Sequence, residues 1–443
     1  MTAKAARAPS PMLPLGFLAA AALAFVAAGL ALPWLADALA GHYYHPRVLA
    51  LTHTVTLGWI TLTILGASYQ LIPIVLERPV WSERLGRWEL GLGVLGVIGV
   101  VGHVALASWP GLVWSAGLVA AAVAAHVVNT ALTLRGLERW SFTAGTLAMG
   151  LAGLVLTTLF GAALGAEHVR AFLPGDFYAR LHAHVHLALL GWVLPVVLGV
   201  SAHVYPLFLL APRPGRRVVA VQAVGLAVGV PAVVIGLLAA PPLAAAGALA
   251  VGAAVVAHVV WVAGLLRASR RPSFDWALRF LVAGAAYLAA TAAFGVALAF
   301  DAVSGPRWAL AYGVLALGGW ASLTIAGMML KIVPFLVWYR VYAPLAGRMP
   351  VPGLADLRWP AAEAVAFLGL TGGVAALAIA AGAGHVGAIR IAAAVVLVGA
   401  LAFGATIATT LHHLVPCPPA RGGARVVSPS TASTPTRAGV NAA

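Results

Sequence analysis

Charge is what this chain has least of. Lys, Arg, Asp and Glu make up 8% of its 443 residues, and only 11 residues are acidic. Soluble domains carry about 25% charged residues, so a water-exposed globular fold is excluded. Cysteine is nearly absent as well. The one thiol, Cys417, lies near the C-terminus, which excludes an internal disulfide and any thiolate metal cluster. No glycine-rich phosphate loop and no nucleophile constellation occurs, so nucleotide and acyl-transfer chemistry have no carrier.

Apolar residues are in excess, at 62%, with a mean hydropathy of +1.00. A bilayer core of about 30 Å is crossed by roughly 20 apolar residues in a helix. Twelve stretches meet that length: 13–36, 47–76, 86–107, 111–134, 141–163, 179–210, 217–239, 241–266, 277–301, 307–337, 359–381 and 386–414. The expected fold is therefore an all-α integral membrane bundle of twelve transmembrane helices. The domain plan is a cytoplasmic N-terminus over 1–12, a membrane domain over 13–414, and a disordered tail over 415–443 rich in Pro, Ser, Thr and Ala.

Basic residues set the orientation. Twenty lie at the termini and around the loops after even-numbered stretches, against five (Arg47, Arg170, Arg180, Arg307, Arg390) after odd-numbered ones. The positive-inside rule puts both termini in the cytoplasm, in a cytoplasmic (inner) membrane. The net charge of +15 then reads as a topology signal and as attraction to anionic membrane lipids, with no nucleic-acid partner.

The chain also repeats. His53 precedes Gly58-Trp59, then Gly66 and Pro73; His186 precedes Gly191-Trp192, then Gly199 and Pro206; Val314 precedes Gly319-Trp320, then Gly327 and Pro334. The offsets from Gly-Trp onward are identical in all three copies. Repeats of this kind mark a fold built from related units. The expectation is three pseudo-symmetric four-helix units, about 13–134, 141–266 and 277–414, with the motif on the second helix of each. The three prolines are expected to kink those helices near their inner ends.

Histidine is the chemistry these units carry. At 1.5 Å per residue, His53 and His186 sit about 9 Å inside the periplasmic boundary, on equivalent faces of related helices. Neutral imidazole is a ligand for haem iron, copper and zinc, and the matched depth makes His53 and His186 candidate cofactor ligands. His182 lies one turn before His186 on the same face, while His184 points elsewhere. His182, His186 and His103 form a candidate metal set in this tier. His126, His258 and His203 form a deeper second tier, as ligands or polar pathway residues. Lys331 is expected to snorkel toward the cytoplasm. Acidic residues are expected only near span ends, as with Asp301 and Glu363, which gives little support to a proton pump built on buried acids.

Twelve helices in three sets of four, with histidines on helices 2 and 6 followed by Gly-Trp, resemble the haem-copper oxidase subunit I superfamily. The phrasing is similar to its C-family oxidases and nitric oxide reductases, and to NnrS-type membrane proteins. The resemblance implies haem b on His53 and copper on His186 or His182. The superfamily's remaining histidines, on helices 7 and 10, have no counterpart here, so the resemblance is to a degenerate member without the binuclear centre. It implies electron transfer or nitric oxide handling beside a cytochrome or other redox subunit. The rival expectations are a haem or metal transporter with a histidine relay, and a catalytic oxidase or nitric oxide reductase-like subunit.

Overall fold

The computed structural model describes residues 10–137 and 139–415, so the expected tail beyond Val415, Cys417 included, lies outside the described residues. The described residues fold as helices joined by short loops, with no strand among them. Among the described residues, twelve helices are long and apolar enough to cross a membrane. Spans 1 to 4 are Met12–Gly41, Pro46–Val75, Glu83–Ala105 and Trp109–Leu134. Spans 5 to 8 are Phe142–Glu167, Phe177–Leu209, Arg216–Ala239 and Pro241–Ala268. Spans 9 to 12 are Trp276–Ala299, Pro306–Val341, Pro360–Ala383 and Val386–His412. The protein is a multi-pass membrane protein. An even number of spans puts the outer ends of spans 1 and 12 at one face, here called proximal; the opposite face is distal.

Spans 2, 6 and 10 form the interior. Their apolar windows are 56%, 67% and 83% buried, against at most 50% in any other span. Each carries a π-helical segment at its Gly-Trp motif: Thr54–Thr61, Leu187–Val193 and Leu315–Ala321. A π-bulge adds one residue to a turn and recurs at functional sites. Trp59 and Trp320, from two of the motifs, are among the largest side chains sealed in the core, and the Trp59 indole N–H donates to Ser322 Oγ at 3.1 Å, tying span 2 to span 10.

Helix ends follow from local sequence. Pro46 and Pro306 open spans 2 and 10, where a missing N–H costs nothing. Asp176 caps the helix that begins span 6 by accepting from the Ala179 N–H at 2.8 Å. The helices of spans 2 and 6 are capped four residues after Pro73 and Pro206, where Glu77 and Leu210 turn left-handed and donate back to the proline carbonyls. Span 10 instead runs on past Pro334 to Val341.

Candidate functional site

A cavity of about 740 Å³ opens among the distal halves of the helices. That is within the roughly 300–1,000 Å³ of small-ligand sites. Its walls are mostly Leu, Val, Ala and Gly from spans 1, 2 and 6 to 12. Polar groups gather toward the distal mouth: His42, Tyr43, Thr52, His182, His186 and Tyr312. His182 and His186, one turn apart on span 6, both line it.

The two imidazoles differ in what remains free. His186 Nδ1 donates to the His182 carbonyl at 2.8 Å. That fixes the tautomer and leaves the lone pair on Nε2, while the ring stacks on Tyr312 of span 10 at 5.9 Å and 19°. His182 Nε2 is engaged with the Tyr43 hydroxyl at 3.0 Å. His186 therefore offers the open nitrogen, and His182 fastens the loop between spans 1 and 2 to span 6.

His53 makes the same backbone bond as His186, from Nδ1 to the Leu49 carbonyl at 2.7 Å. It is not among the residues that line the cavity. It lies instead near His184, whose ring sits over Gly161 of span 5 and whose buried Nδ1 has no hydrogen-bond partner. The structure thus brings His182 and His186 together and sends His53 to a different interhelical space.

His103 belongs to neither place. Its Nδ1 is 2.9 Å from Ser115 Oγ, between spans 3 and 4, and its ring covers Gly111. Among the described residues, no three His, Cys, Asp or Glu side chains converge as a metal-ion group.

The deeper tier is also dispersed. His126 and His258 are each 2% exposed, on spans 4 and 8. His126 Nδ1 lies 3.0 Å from Glu89 Oε1, and Glu89 is fully buried on span 3. Glu89 lies six residues into Glu83–Ala105, near the proximal end of span 3, so it agrees with acids lying near span ends; its full burial is what the sequence did not show. His258 lies against Tyr205 and Trp261, with its Nδ1 unpartnered. His203 is half-buried near the proximal end of span 6. Lys331 does not simply snorkel: its ammonium pairs with Asp275, which also takes Arg358 at 3.4 Å.

A smaller cavity of about 80 Å³ lies where spans 2, 6 and 10 meet. Its lining repeats at the motif offsets: Thr63, Val196 and Thr324; Ala67, Val200 and Met328; Leu71, Val204 and Ile332. Equivalent positions of three helices therefore face one another.

The distal loops carry an aromatic cluster. The Tyr44 hydroxyl and His168 Nε2 are 2.6 Å apart, and Tyr44 packs against Phe177 and Tyr178. Burial, then neighbouring Tyr178, pushes the Tyr44 phenol up to about 12. Burial and the same neighbour also raise Tyr43, which shields the His182 contact from deprotonation.

Sequence reasoning missed Glu89, Tyr43 and Tyr312. Glu89 disappears in a hydropathy average. The tyrosines fall at helix ends, where aromatic residues read as interfacial anchors. The chain matches no protein-family model and no curated protein.

Proposed function

We propose that the protein is a haem-b-binding membrane protein, with His186 as the iron's protein ligand in the distal cavity. The observation that carries this reading is the free Nε2 of His186 at the wall of a 740 Å³ apolar cavity, its tautomer set by a backbone carbonyl. That arrangement is how protein ligands are oriented toward a metal. The aliphatic walls suit a porphyrin face, and His42, Tyr43 and Ser304 give the mouth, which Asp301 also lines, hydrogen-bonding groups for its polar edge. Haem, if bound here, would supply one-electron redox chemistry and a binding site for a diatomic gas. The role that follows is electron transfer or nitric oxide handling, beside a redox partner such as a cytochrome.

In this reading His186 ligates and Tyr312 holds the plane of its ring. His182 and Tyr43 close the mouth and exclude water. His53 stays outside the haem pocket. Copper is the weaker candidate, because the Tyr43 hydroxyl engages His182 Nε2 and no third ligand joins the pair among the described residues. The matched faces of spans 2, 6 and 10 and the three π-bulges support a bundle of three related four-helix units, as in the oxidase subunit I superfamily. Both chain ends are assigned to the cytoplasm, which makes the distal cavity periplasmic.

The test is an absorption spectrum, reduced minus oxidised, with metal analysis on the purified full-length chain. A Soret band that His186→Ala removes and His53→Ala retains is the expected result. A colourless protein with no bound iron overturns the proposal.

A further inference from the structure

The haem reading leaves the fully buried Glu89 unused, and its surroundings are unlike those of the other acids. Each of three antiparallel hairpins carries a buried polar pair toward the proximal face. Gly96 packed on Val119 sets the register of spans 3 and 4, which brings Glu89 to His126. Gly229 on Val251 sets spans 7 and 8, which puts Gln222 on the rung of His258. Gly373 on Val396 sets spans 11 and 12, which puts Glu363 on the rung of Thr406. All six residues are at most 2% exposed. The second pair holds no carboxylate, and the third carboxylate is held by the Arg358 guanidinium through two contacts. Only the first sets a carboxylate against an imidazole.

With Glu89 as the carboxylate, the hydrogen-bond directions around it follow from its partners. Asn129 Nδ2 donates to the Tyr69 hydroxyl at 2.9 Å, so that hydroxyl donates onward to Glu89 Oε2. His126 Nδ1 donates to Oε1 at 3.0 Å. Both carboxylate oxygens are thus acceptors, and the open position is His126 Nε2, 3.4 Å from Thr130 Oγ1. The groups facing Glu89 are Tyr69 from span 2 and His126 from span 4. Span 1 presents Leu13 and Phe17 beside them, and Arg84 and Arg87 of span 3 are exposed. Among the described residues, no Lys or Arg pairs with Glu89. A carboxylate facing a neutral imidazole leaves one net charge in the apolar interior, which is costly. A proton on Nε2 cancels it and makes a neutral ion pair.

We infer that Glu89 and His126 form a proton-binding site that exchanges with the proximal face. Asn129 ties the network to the proximal end of span 3: its amide donates to the Ser82 carbonyl at 2.8 Å and accepts from the Ser82 N–H at 3.0 Å. Thr130 and Thr133 line the same face of span 4, and Thr133 Oγ1 accepts from the Trp81 N–H at 3.1 Å. The proton adds to Nε2 and leaves from it, with no other bond made or broken. The site is independent of haem.

The experiment is pH-difference infrared spectroscopy of the full-length protein in lipid vesicles, with the histidine rings isotopically labelled. The native chain is expected to show an imidazole titration coupled to a carboxylate change. Glu89→Gln and His126→Asn should remove it, and Thr130→Ala, which deletes the hydroxyl 3.4 Å from His126 Nε2, should shift its midpoint. Should the first two variants fail to fold, the native spectrum and Thr130→Ala decide alone. A native chain with no titrating imidazole overturns the inference, as does a pH-difference spectrum unchanged in every folded variant.

Discussion

The ring of His186 is held by the backbone of His182, one turn earlier, through a 2.8 Å bond from Nδ1 to a carbonyl oxygen. The His182 side chain is engaged elsewhere, at the Tyr43 hydroxyl. The two histidines therefore have separable roles, although both line the same cavity.

His182→Ala keeps the carbonyl that orients His186 and loses only the tie to Tyr43. The variant is expected to retain bound haem while losing about 1 kcal/mol of stability, the worth of one hydrogen bond. His186→Ala is expected to lose the haem outright. Haem content per protein and melting temperature, measured side by side, check both. Equal haem loss in the two variants would contradict the division of roles.

The aromatic cluster at the distal loops predicts an alkaline transition. An unfolded phenol titrates near 10, and in the folded protein Tyr44 is held at about 12 by burial, then by Tyr178. Its contribution is fully present below pH 10 and is lost as pH rises toward 12. Melting temperatures stepped across that window should fall in the native chain, and Tyr44→Phe should lack this component. Identical alkaline slopes would show that the Tyr44 phenol titrates alike in the folded and unfolded chains.

At the proximal face, Asp275 joins Lys331 to Arg358 and caps span 9 by accepting from the Leu278 N–H at 3.1 Å. Burial works to raise its carboxyl, but the Lys331 hydrogen bond, the cap and the two cations hold it below the ordinary value. Stability from this group is present above the usual carboxylate range and is lost as pH falls through the lowered value. Asp275→Ala is expected to cost about 1–3 kcal/mol, less than a fully sealed pair, because the carboxylate is 24% exposed. Asp275→Asn keeps a cap and should cost less. Denaturant or thermal unfolding of the two variants orders them.

Span 5 meets span 6 at a place with no room for a side chain. A methyl on Gly153 would run into the backbone of Gly191, in the second Gly-Trp motif. Neither partner is a flexible side chain, so the helices themselves must separate. Gly153→Ala is expected to cost at least about 1–3 kcal/mol by overpacking. Gly145→Ala, on the same helix with open space around it, should be neutral. Folded yield from detergent extraction compares them.

The bundle was readable because bilayer thickness imposes one length on every span. The stretch read as 47–76 is Pro46–Val75, and the one read as 386–414 is Val386–His412. The motif offsets also carried through to the structure, as three helices presenting corresponding residues to one small cavity. Where His53 faces was not readable. It shares a repeat position and a backbone bond with His186, but span 6 borders the large cavity through His182 and His186, and span 2 does so through Thr52 and Val55. Glu89 was invisible for a related reason. One acid among so many aliphatic neighbours leaves a hydropathy average unchanged, and its partner lies 37 positions away across a hairpin.

The widened turns at the three tryptophan motifs bear on how this chain tolerates length changes. Each equals one residue inserted into an otherwise regular coil. Deleting a single residue between Thr54 and Thr61, or between Leu187 and Val193, can relax the turn while the flanking segments keep their rotational phase. A deletion in an ordinary stretch swings everything downstream by about 100°. The protein therefore holds a slack residue in three of its most enclosed helices, beside the cavity in which haem is proposed to sit.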